Sequence, residues 1–322
     1  MGFKSVSSKP HFKRTLFLAV GVSLFAFAQA AQADPAPEKV IVSDIGGPEG
    51  PVFIGRDLYF VGWTDDALVR WNGHETKILH HEAGCEHNGL AVIPGNHLLI
   101  ACLSEPGAII EVTSEGKEVR RWTTDAGGKP LKGGVNDFAV APNGGIYATL
   151  SGPLNDPPGP IAGKVLYLAP GASQWVEVAD ALNYANGLAV SPDGRTLYVA
   201  ESIGNSVIKF TIQADGSLAD RANFAMLHVL IPDKIRSAFI GPDGIKLDRA
   251  GNLYVAQYNG GKVLKISPSG KLLHVFKVSA GEGVTNVALS ADETELYVTV
   301  VRDPNDPKAL GSIVRIANGR AP

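Results

Sequence analysis

One position recurs six times along this chain and is polar at every recurrence. Glu49, Asn88, Asn136, Asn186, Asp243 and Asn286 each open a short apolar run: Gly-Pro-Val-Phe, Gly-Leu-Ala-Val, Asp-Phe-Ala-Val, Gly-Leu-Ala-Val, Gly-Ile-Lys-Leu and Val-Ala-Leu-Ser. One side-chain oxygen per repeat, at one place in the repeat, predicts a ring of oxygen atoms around an axis, which is what a hard divalent cation requires. Without an ion, the carboxylates of Glu49 and Asp243 would repel each other by roughly 3 kcal/mol at about 5 Å and an effective dielectric of about 20. A divalent cation removes that repulsion and leaves the site neutral. No Cys or His stands at the repeated position, so Ca²⁺ is favoured, with Mg²⁺, Mn²⁺ or Zn²⁺ possible. The competing reading is a channel whose polar lining only holds water.

A cation in an open channel polarises a carbonyl or phosphoryl oxygen and lowers the pKa of bound water. Asp243, binding through one oxygen, keeps a second to take a proton from water or to attack the substrate itself. Asn88 is placed to orient substrate from the neighbouring repeat, and Trp63 to shape the pocket. His87, next to Asn88 and downstream of His80-His81, is expected to be a surface-loop histidine. Ser151 and Ser202 lack a nucleophile-elbow setting, so a serine hydrolase is not expected. Turns such as Pro142-Asn143-Gly144-Gly145 are not phosphate loops, because no Gly-Lys-Ser/Thr follows and no helix opens there.

The elements that must position these residues repeat with them. After each polar residue and its apolar run comes a tight turn, such as Ser-Pro-Asp-Gly at 191–194, and then a second apolar pair: Leu58-Tyr59, Leu98-Leu99, Ile146-Tyr147, Leu197-Tyr198, Leu253-Tyr254 and Leu296-Tyr297. A third strand alternates, as in Val207-Ile208-Lys209-Phe210, and a fourth, less regular one completes the unit. This spacing predicts an all-β chain, a six-bladed β-propeller with four-stranded blades and a central metal channel. Lys39-Val40-Ile41-Val42 lies outside the six repeats and is expected to add the outer strand of the last blade, closing the ring and covering its edges. The polar residues and the ends of the second strands share one mouth of the channel. The connections Gly152 to Gly163, Arg302 to Gly311 and Phe224 to Gly241 crowd that mouth. In the last of these, Ile235-Arg236-Ser237-Ala238-Phe239 reads as a lid or specificity wall, or as a passive connection.

With 37 Gly and 21 Pro, the composition favours turns and short strands over long helices. Residues 1–33 read as an export signal: a basic start (Lys4, Lys9, Lys13, Arg14), an apolar stretch from Leu16 to Ala28, and a small-residue cleavage site at Ala31-Gln32-Ala33. Residues 34–322 then form a single propeller domain, and the location is periplasmic or secreted. Removing four basic and no acidic residues takes the formal charge from −3 to −7. That argues against nucleic acid and anionic membrane as partners. The expected partner is a small-molecule substrate, with no stable membrane insertion after signal cleavage, and the protein is expected to be a monomer or dimer. Cys85 and Cys102, the two cysteines, fall near the ends of neighbouring predicted strands, where an oxidising location permits a disulfide and two buried thiols are the alternative.

Several blocks resemble the senescence-marker-protein/gluconolactonase/luciferin-regenerating-enzyme-like family of six-bladed propellers. They are Glu49-Gly50-Pro51-Val52 with Leu58-Tyr59-Phe60; Val135-Asn136-Asp137 before Ala141-Pro142-Asn143-Gly144; Asn186-Gly187-Leu188-Ala189 through Leu197-Tyr198-Val199-Ala200; Pro242-Asp243-Gly244 with Leu253-Tyr254-Val255-Ala256; and Thr285-Asn286-Val287-Ala288 with Leu296-Tyr297-Val298-Thr299. The ordered set covers nearly all of residues 34–322. The resemblance implies metal ligands at Glu49, Asn186 and Asp243, with Asn136 as a further ligand or substrate contact, and Asp243 as proton acceptor and donor. It implies a metal-dependent hydrolase of carboxylic esters, typically lactones. Two departures stand out: Gly134 replaces an Arg frequent in sugar-lactone members, and Gly62-Trp63 replaces an acidic position after the first Leu-Tyr strand. Both make the mouth less charged and more apolar. The rival readings are a non-enzymatic binding propeller with a structural Ca²⁺, and a phosphotriesterase or lyase on the same scaffold.

Overall fold

The computed structural model describes residues 1–2, 38–154, 160–232 and 239–319. The chain separates into Met1–Asp34 and Pro35–Pro322, and the fold is that of the second unit. The expected leader, residues 1–33, lies almost wholly outside the described residues, as do 155–159 and, within the expected lid, Ile235 to Ala238.

Six four-stranded antiparallel sheets form six blades; five run in sequence order from the innermost strand outward, and the sixth takes its outermost strand from the N-terminal end of the fold. The inner strands are Pro48–Ile54 (blade 1), His87–Ile93 (blade 2), Val135–Val140 (blade 3), Ala185–Val190 (blade 4), Gly241–Leu247 (blade 5) and Gly283–Leu289 (blade 6). Each inner strand touches the next around the circle, and the last returns to the first. The outer strand of blade 6 is Lys39–Gly46, paired antiparallel from Lys39 opposite Arg315 to Gly46 opposite Leu310, with register shifts between Val40 and Val42 and between Ser43 and Ile45. Glu38 anchors its start, accepting hydrogen bonds from the Ser279 and Ala280 amides at 2.7 and 3.1 Å. The N-terminal strand thus closes the ring, as its position outside the six repeats predicts, and removes an edge that would invite strand pairing with another chain.

The core is six apolar clusters, one at each blade–blade junction. Between blades 2 and 3, for example, Leu99, Ala101, Phe138 and Ala148 pack around the fully buried Trp175, with Trp122 edge-on to it at 6.0 Å. Burying an aliphatic or aromatic side chain of this size contributes about 1.5–3 kcal/mol. The alternating apolar residues of the second and third strands supply these faces, because side chains in a strand point to its two faces in turn. Among the described residues, the one α-helical turn is Leu227–Leu230, and no helix is long and apolar enough to cross a membrane.

Two features of every blade bear on the channel. First, each inner strand carries one extra residue relative to its neighbour, at or beside the repeated polar position: between Glu49 and Val52, His87 and Leu90, Val135 and Phe138, Ala185 and Leu188, Pro242 and Ile245, and Val284 and Asn286. Such a bulge re-aims a side chain that regular pleating would send into a blade junction. Second, a glycine follows the polar residue in four repeats. A Cβ at Gly89 would sit 2.5 Å from the carbonyl oxygen of Asn136, and one at Gly187 2.5 Å from that of Asp243. Glycine there lets neighbouring inner strands approach closely enough to bring their polar side chains together.

Candidate functional site

A cavity of about 260 Å³ opens where the inner strands converge, and Glu49, Asn88, Asn136, Asn186 and Asp243 all line it. Five of the six repeated positions therefore meet as expected. The sixth does not: Asn286 is absent from the lining and lies deeper. Its Nδ2 donates to Glu49 Oε2 at 2.8 Å and approaches Asp137 Oδ2 at 3.5 Å. The physical reason is in blade 5, where Gly244 leaves the volume that the Asn286 amide fills.

Each lining group is held by its surroundings. Glu49 Oε2 accepts from Asn286 and from the Gly50 amide, so both contacts fall on one oxygen. Asn136 donates from Nδ2 to Ser151 Oγ at 3.0 Å, and its Oδ1, buried, has no partner. Asn186 donates to the Asp243 carboxylate, and its Oδ1 is likewise buried without a partner. Asn88 donates from Nδ2 to the carbonyl of Asn136 at 3.1 Å, which leaves its amide oxygen and its second N–H to meet a ligand. Hydroxyls tie neighbouring blades in the same way: Thr149 to Asn186 O at 2.7 Å, Ser202 to Pro242 O at 2.6 Å and Thr285 to Pro48 O at 2.7 Å. Ser151 and Ser202 thus hold the ring in place.

Burial is the main force on the two ring carboxylates. It pushes Glu49 up to about 8, with the charge of Asp137 adding to the effect and the Asn286 hydrogen bond opposing it. Burial, followed by the charge of Glu49, holds Asp243 well above the usual carboxylate range, while the Asn186 hydrogen bond opposes. Two carboxylates and two orphaned amide oxygens in one cavity form a donor set of oxygen alone, with no proton donor to the amide oxygens. Buried polar atoms are nearly always hydrogen-bonded, so such orphans need an explanation. A hard cation fits this set: it satisfies both amide oxygens and offsets both charges.

Sequence reasoning missed a second layer. Asp137 and Lys246 lie beyond Glu49 and Asn286, with Asp137 Oδ2 3.7 Å from Lys246 Nζ. Asp137 occupies the position that is glycine in blades 1, 2, 4 and 5, and a carboxylate replacing a glycine in register is the signal that could have found it. Sequence reasoning also missed most of the wall above the ring. Beside Trp63, the cavity is lined by Leu103, Leu154, Tyr184, Phe239 and Tyr258. Trp63, Leu103 and Tyr258 come from the ends of second strands, which the repeat places at this mouth. Tyr184 has no sequence signal; it sits at a φ of 60°, a strained conformation for an aromatic residue that presents it to the cavity. Burial pushes Tyr184 and Tyr258 up to about 12, with the charge of Asp243 adding in both, so both phenols stay protonated near neutral pH.

Two expectations concern residues just outside the ring. His87 is not in a surface loop. It lies in the inner strand of blade 2, fully buried, with neither ring nitrogen hydrogen-bonded. The bulge that turns Asn88 to the channel sends His87 into the blade, and burial, followed by the charge of nearby His80, lowers it to about 4. Cys85 and Cys102 form a disulfide that ties the approach to this strand to the end of its neighbour.

Two other places in the molecule deserve comparison with the ring. A larger hollow of about 700 Å³, lined by Lys262, Lys277, Glu282 and Arg302 among others, contains no ring residue. Size alone does not make it the reactive site, because it gathers no convergent set of buried donors. Among the described residues, His80, Glu82 and Glu118 bring ligand-type atoms within 4.8 Å of one another. They sit on the outer strands of blades 1 and 2, and Arg121 already clamps both carboxylates at 2.6 to 3.1 Å. A cation there would have to displace a guanidinium, so this trio is an ion-pair cluster.

The chain is similar in sequence and fold to known proteins. Orangutan (Pongo abelii) regucalcin is 32% identical over 133 residues, 41% of this chain and 42% of its own length. A lactonase of Staphylococcus saprophyticus is 31% identical over 172 residues, 52% of this chain and 49% of its own. The chain thus spans about half or less of the curated relatives it matches. The solved structure of a gluconolactonase from Xanthomonas campestris covers 88% of this chain and 89% of its own at 25% identity, with a TM-score of 0.70. Residues 47–302, a span that contains every ring residue, match the SMP-30/Gluconolactonase/LRE-like region, and the chain belongs to that family.

Proposed function

We propose that this chain is an exported, cation-dependent lactonase that hydrolyses a cyclic carboxylic ester at the oxygen ring. The observation that carries this reading is the pair of orphaned amide oxygens, Asn136 Oδ1 and Asn186 Oδ1, in one cavity with two carboxylates. Glu49, Asn136, Asn186 and Asp243 would hold the ion, which supplies polarisation of the ester carbonyl and a lowered pKa for water. Similarity to gluconolactonases and to a bacterial lactonase favours esters over phosphotriesters.

The chain's own residues do the rest. Asn186 orients the Asp243 carboxylate through its amide N–H, so one oxygen is held in place to receive a proton. Asp243 takes that proton from the attacking water, the water oxygen bonds to the acyl carbon, and the ring C–O bond breaks. The proton then passes from Asp243 to the departing alkoxide oxygen, and the product is a hydroxy acid. Ser151 fixes Asn136, and the Gly50 amide and Asn286 fix Glu49. The Tyr184 and Tyr258 hydroxyls, protonated near neutral pH, can donate to the ester. Export rests on the features of residues 1–33 and is supported by the Cys85–Cys102 disulfide, which suits a periplasmic or secreted protein.

The test is chelation followed by reloading. The metal-free protein should lose lactone hydrolysis by at least about 100-fold, and one of Ca²⁺, Mg²⁺, Mn²⁺ or Zn²⁺ should restore it. A chelator that lowers the melting temperature of a protein with no esterase or lactonase activity to lose would instead identify a binding propeller with a structural ion.

A further inference from the structure

The cavity is divided by height into two chemistries. The ring at its floor is all polar. The wall above it is Trp63, Leu103, Leu154, Tyr184, Phe239 and Tyr258, and among the described residues no Lys, Arg or His lines the cavity. Among the described residues, the polar atoms this wall can offer a ligand are the two tyrosine hydroxyls and the Trp63 indole N–H, since the Ser202 hydroxyl that also lines the cavity already donates to Pro242 O. We propose that the site selects small lactones bearing an apolar aryl or alkyl substituent over polyhydroxylated ones. This inference rests on the lactonase reading.

The wall is fixed in place. Trp63 donates its backbone N–H to Gly47 O at 2.9 Å, and its ring lies against Gly47, where any Cβ would strike the indole. Phe239 is held by Asn259, which donates to its carbonyl at 2.7 Å, and its ring is 6.1 Å from that of Tyr258. Leu103 lies over Gly134, which has a φ of +72° and where a Cβ would collide with the Leu103 carbonyl. No side chain can reach the cavity from position 134 without moving that strand end, so the wall stays apolar there. A substituent entering between Trp63 and Phe239 exchanges water for aromatic and aliphatic carbon, which favours binding in proportion to the apolar area buried. A sugar ring brings several hydroxyls to the same wall and finds few partners; a buried hydroxyl without a partner is unfavourable.

The experiment uses the full propeller loaded with its activating cation and three lactones: γ-phenyl-γ-butyrolactone, unsubstituted γ-butyrolactone and glucono-1,5-lactone. The expected kcat/KM for the phenyl compound is about 10-fold or more above the unsubstituted ring and about 100-fold or more above the sugar lactone. Trp63→Ala should erase most of the phenyl advantage through KM. If that variant does not fold, Leu154→Arg, at an exposed position of the rim, should shift preference away from the phenyl compound. Equal or better turnover of the sugar lactone overturns the substrate class and leaves the lactonase reading standing. Absence of turnover for every lactone with every cation overturns the lactonase reading. In that event, calorimetry with the non-hydrolysable 5-phenyl-2-pyrrolidinone against gluconolactam decides the pocket's preference by itself: tighter phenyl binding upholds the apolar selection, and equal or weaker binding overturns it.

Discussion

Two levels of the same channel treat buried polar atoms in opposite ways. At the upper level, Asn136 and Asn186 each keep an amide oxygen without a partner, beside two carboxyl groups whose pKa values burial raises. One step deeper, the same inner strands build a chain whose members satisfy one another. Asp137 Oδ1 accepts from the Phe138 amide at 2.8 Å, and its Oδ2 faces Lys246 at 3.7 Å and Asn286 at 3.5 Å. Asn286 in turn accepts from the Val287 amide at 2.9 Å and donates to Glu49 at 2.8 Å. A network complete in itself is scaffolding, whereas one left incomplete in a preformed cavity is built for something that arrives later. Glu49 belongs to both levels, with one oxygen tied to the scaffold.

The contrast predicts different failures at the two levels. Asp243→Asn keeps shape and removes the proton acceptor, so lactone kcat/KM should fall by about 10²- to 10⁴-fold with circular dichroism and monodispersity unchanged. The metal-free variant should melt no lower than the metal-free parent, since a carboxylate repelled by Glu49 has gone. A lowered melting temperature with activity retained would move Asp243 into the scaffold with Asp137. Lys246→Met is the opposite experiment. It leaves Asp137 buried without its counter-charge and should destabilise by about 2 kcal/mol, less than a fully buried pair would lose because Lys246 is partly solvated. Adding Asp137→Asn should recover most of that loss, as measured by urea midpoints in a double-mutant cycle. Simple additivity of the two losses would show that the deeper level is not a coupled unit.

The same division explains what was legible in the residue pattern. The propeller was readable because each blade repeats one polar residue, one turn and one Leu-Tyr-type strand, and because the Lys39–Val42 run stood outside the six repeats. Five ring positions were readable for the same reason. Asn286 has the right register yet points deeper, because its depth depends on the void at Gly244, a contact between strands some 40 residues apart in sequence. His87 was misread because a bulge reverses the faces of adjacent residues, and no residue type announces a bulge. Asp137 and Lys246 pair across blades 3 and 5, and pairings of that kind leave no local spacing to read. The aromatic wall comes from strand ends and connections, where the repeat is weakest.

The finest test of the upper level is its proton balance. In the metal-free protein Glu49 titrates at about 8, against 4.5 for an unperturbed glutamate. Its folded-state pKa is raised, so the folded chain holds a proton that the unfolded chain has released between those values. That contribution to stability is fully present below about 4.5 and is lost as pH rises through about 8. A cation must expel the same proton, and one from Asp243, which burial also raises, so its apparent affinity should rise with pH, by up to tenfold (about 1.4 kcal/mol) per unit for each proton released. The window should be pH 6.5 to 8.5, because His87, lowered to about 4, is lost as a stabilising neutral group only as pH falls below about 6.5. The melting-temperature increment produced by a fixed cation concentration should therefore grow from pH 6.5 to 8 while the metal-free protein itself becomes less stable. An increment independent of pH would mean that the cation does not meet the Glu49 carboxylate, and the upper level would lose its claim to be the incomplete one.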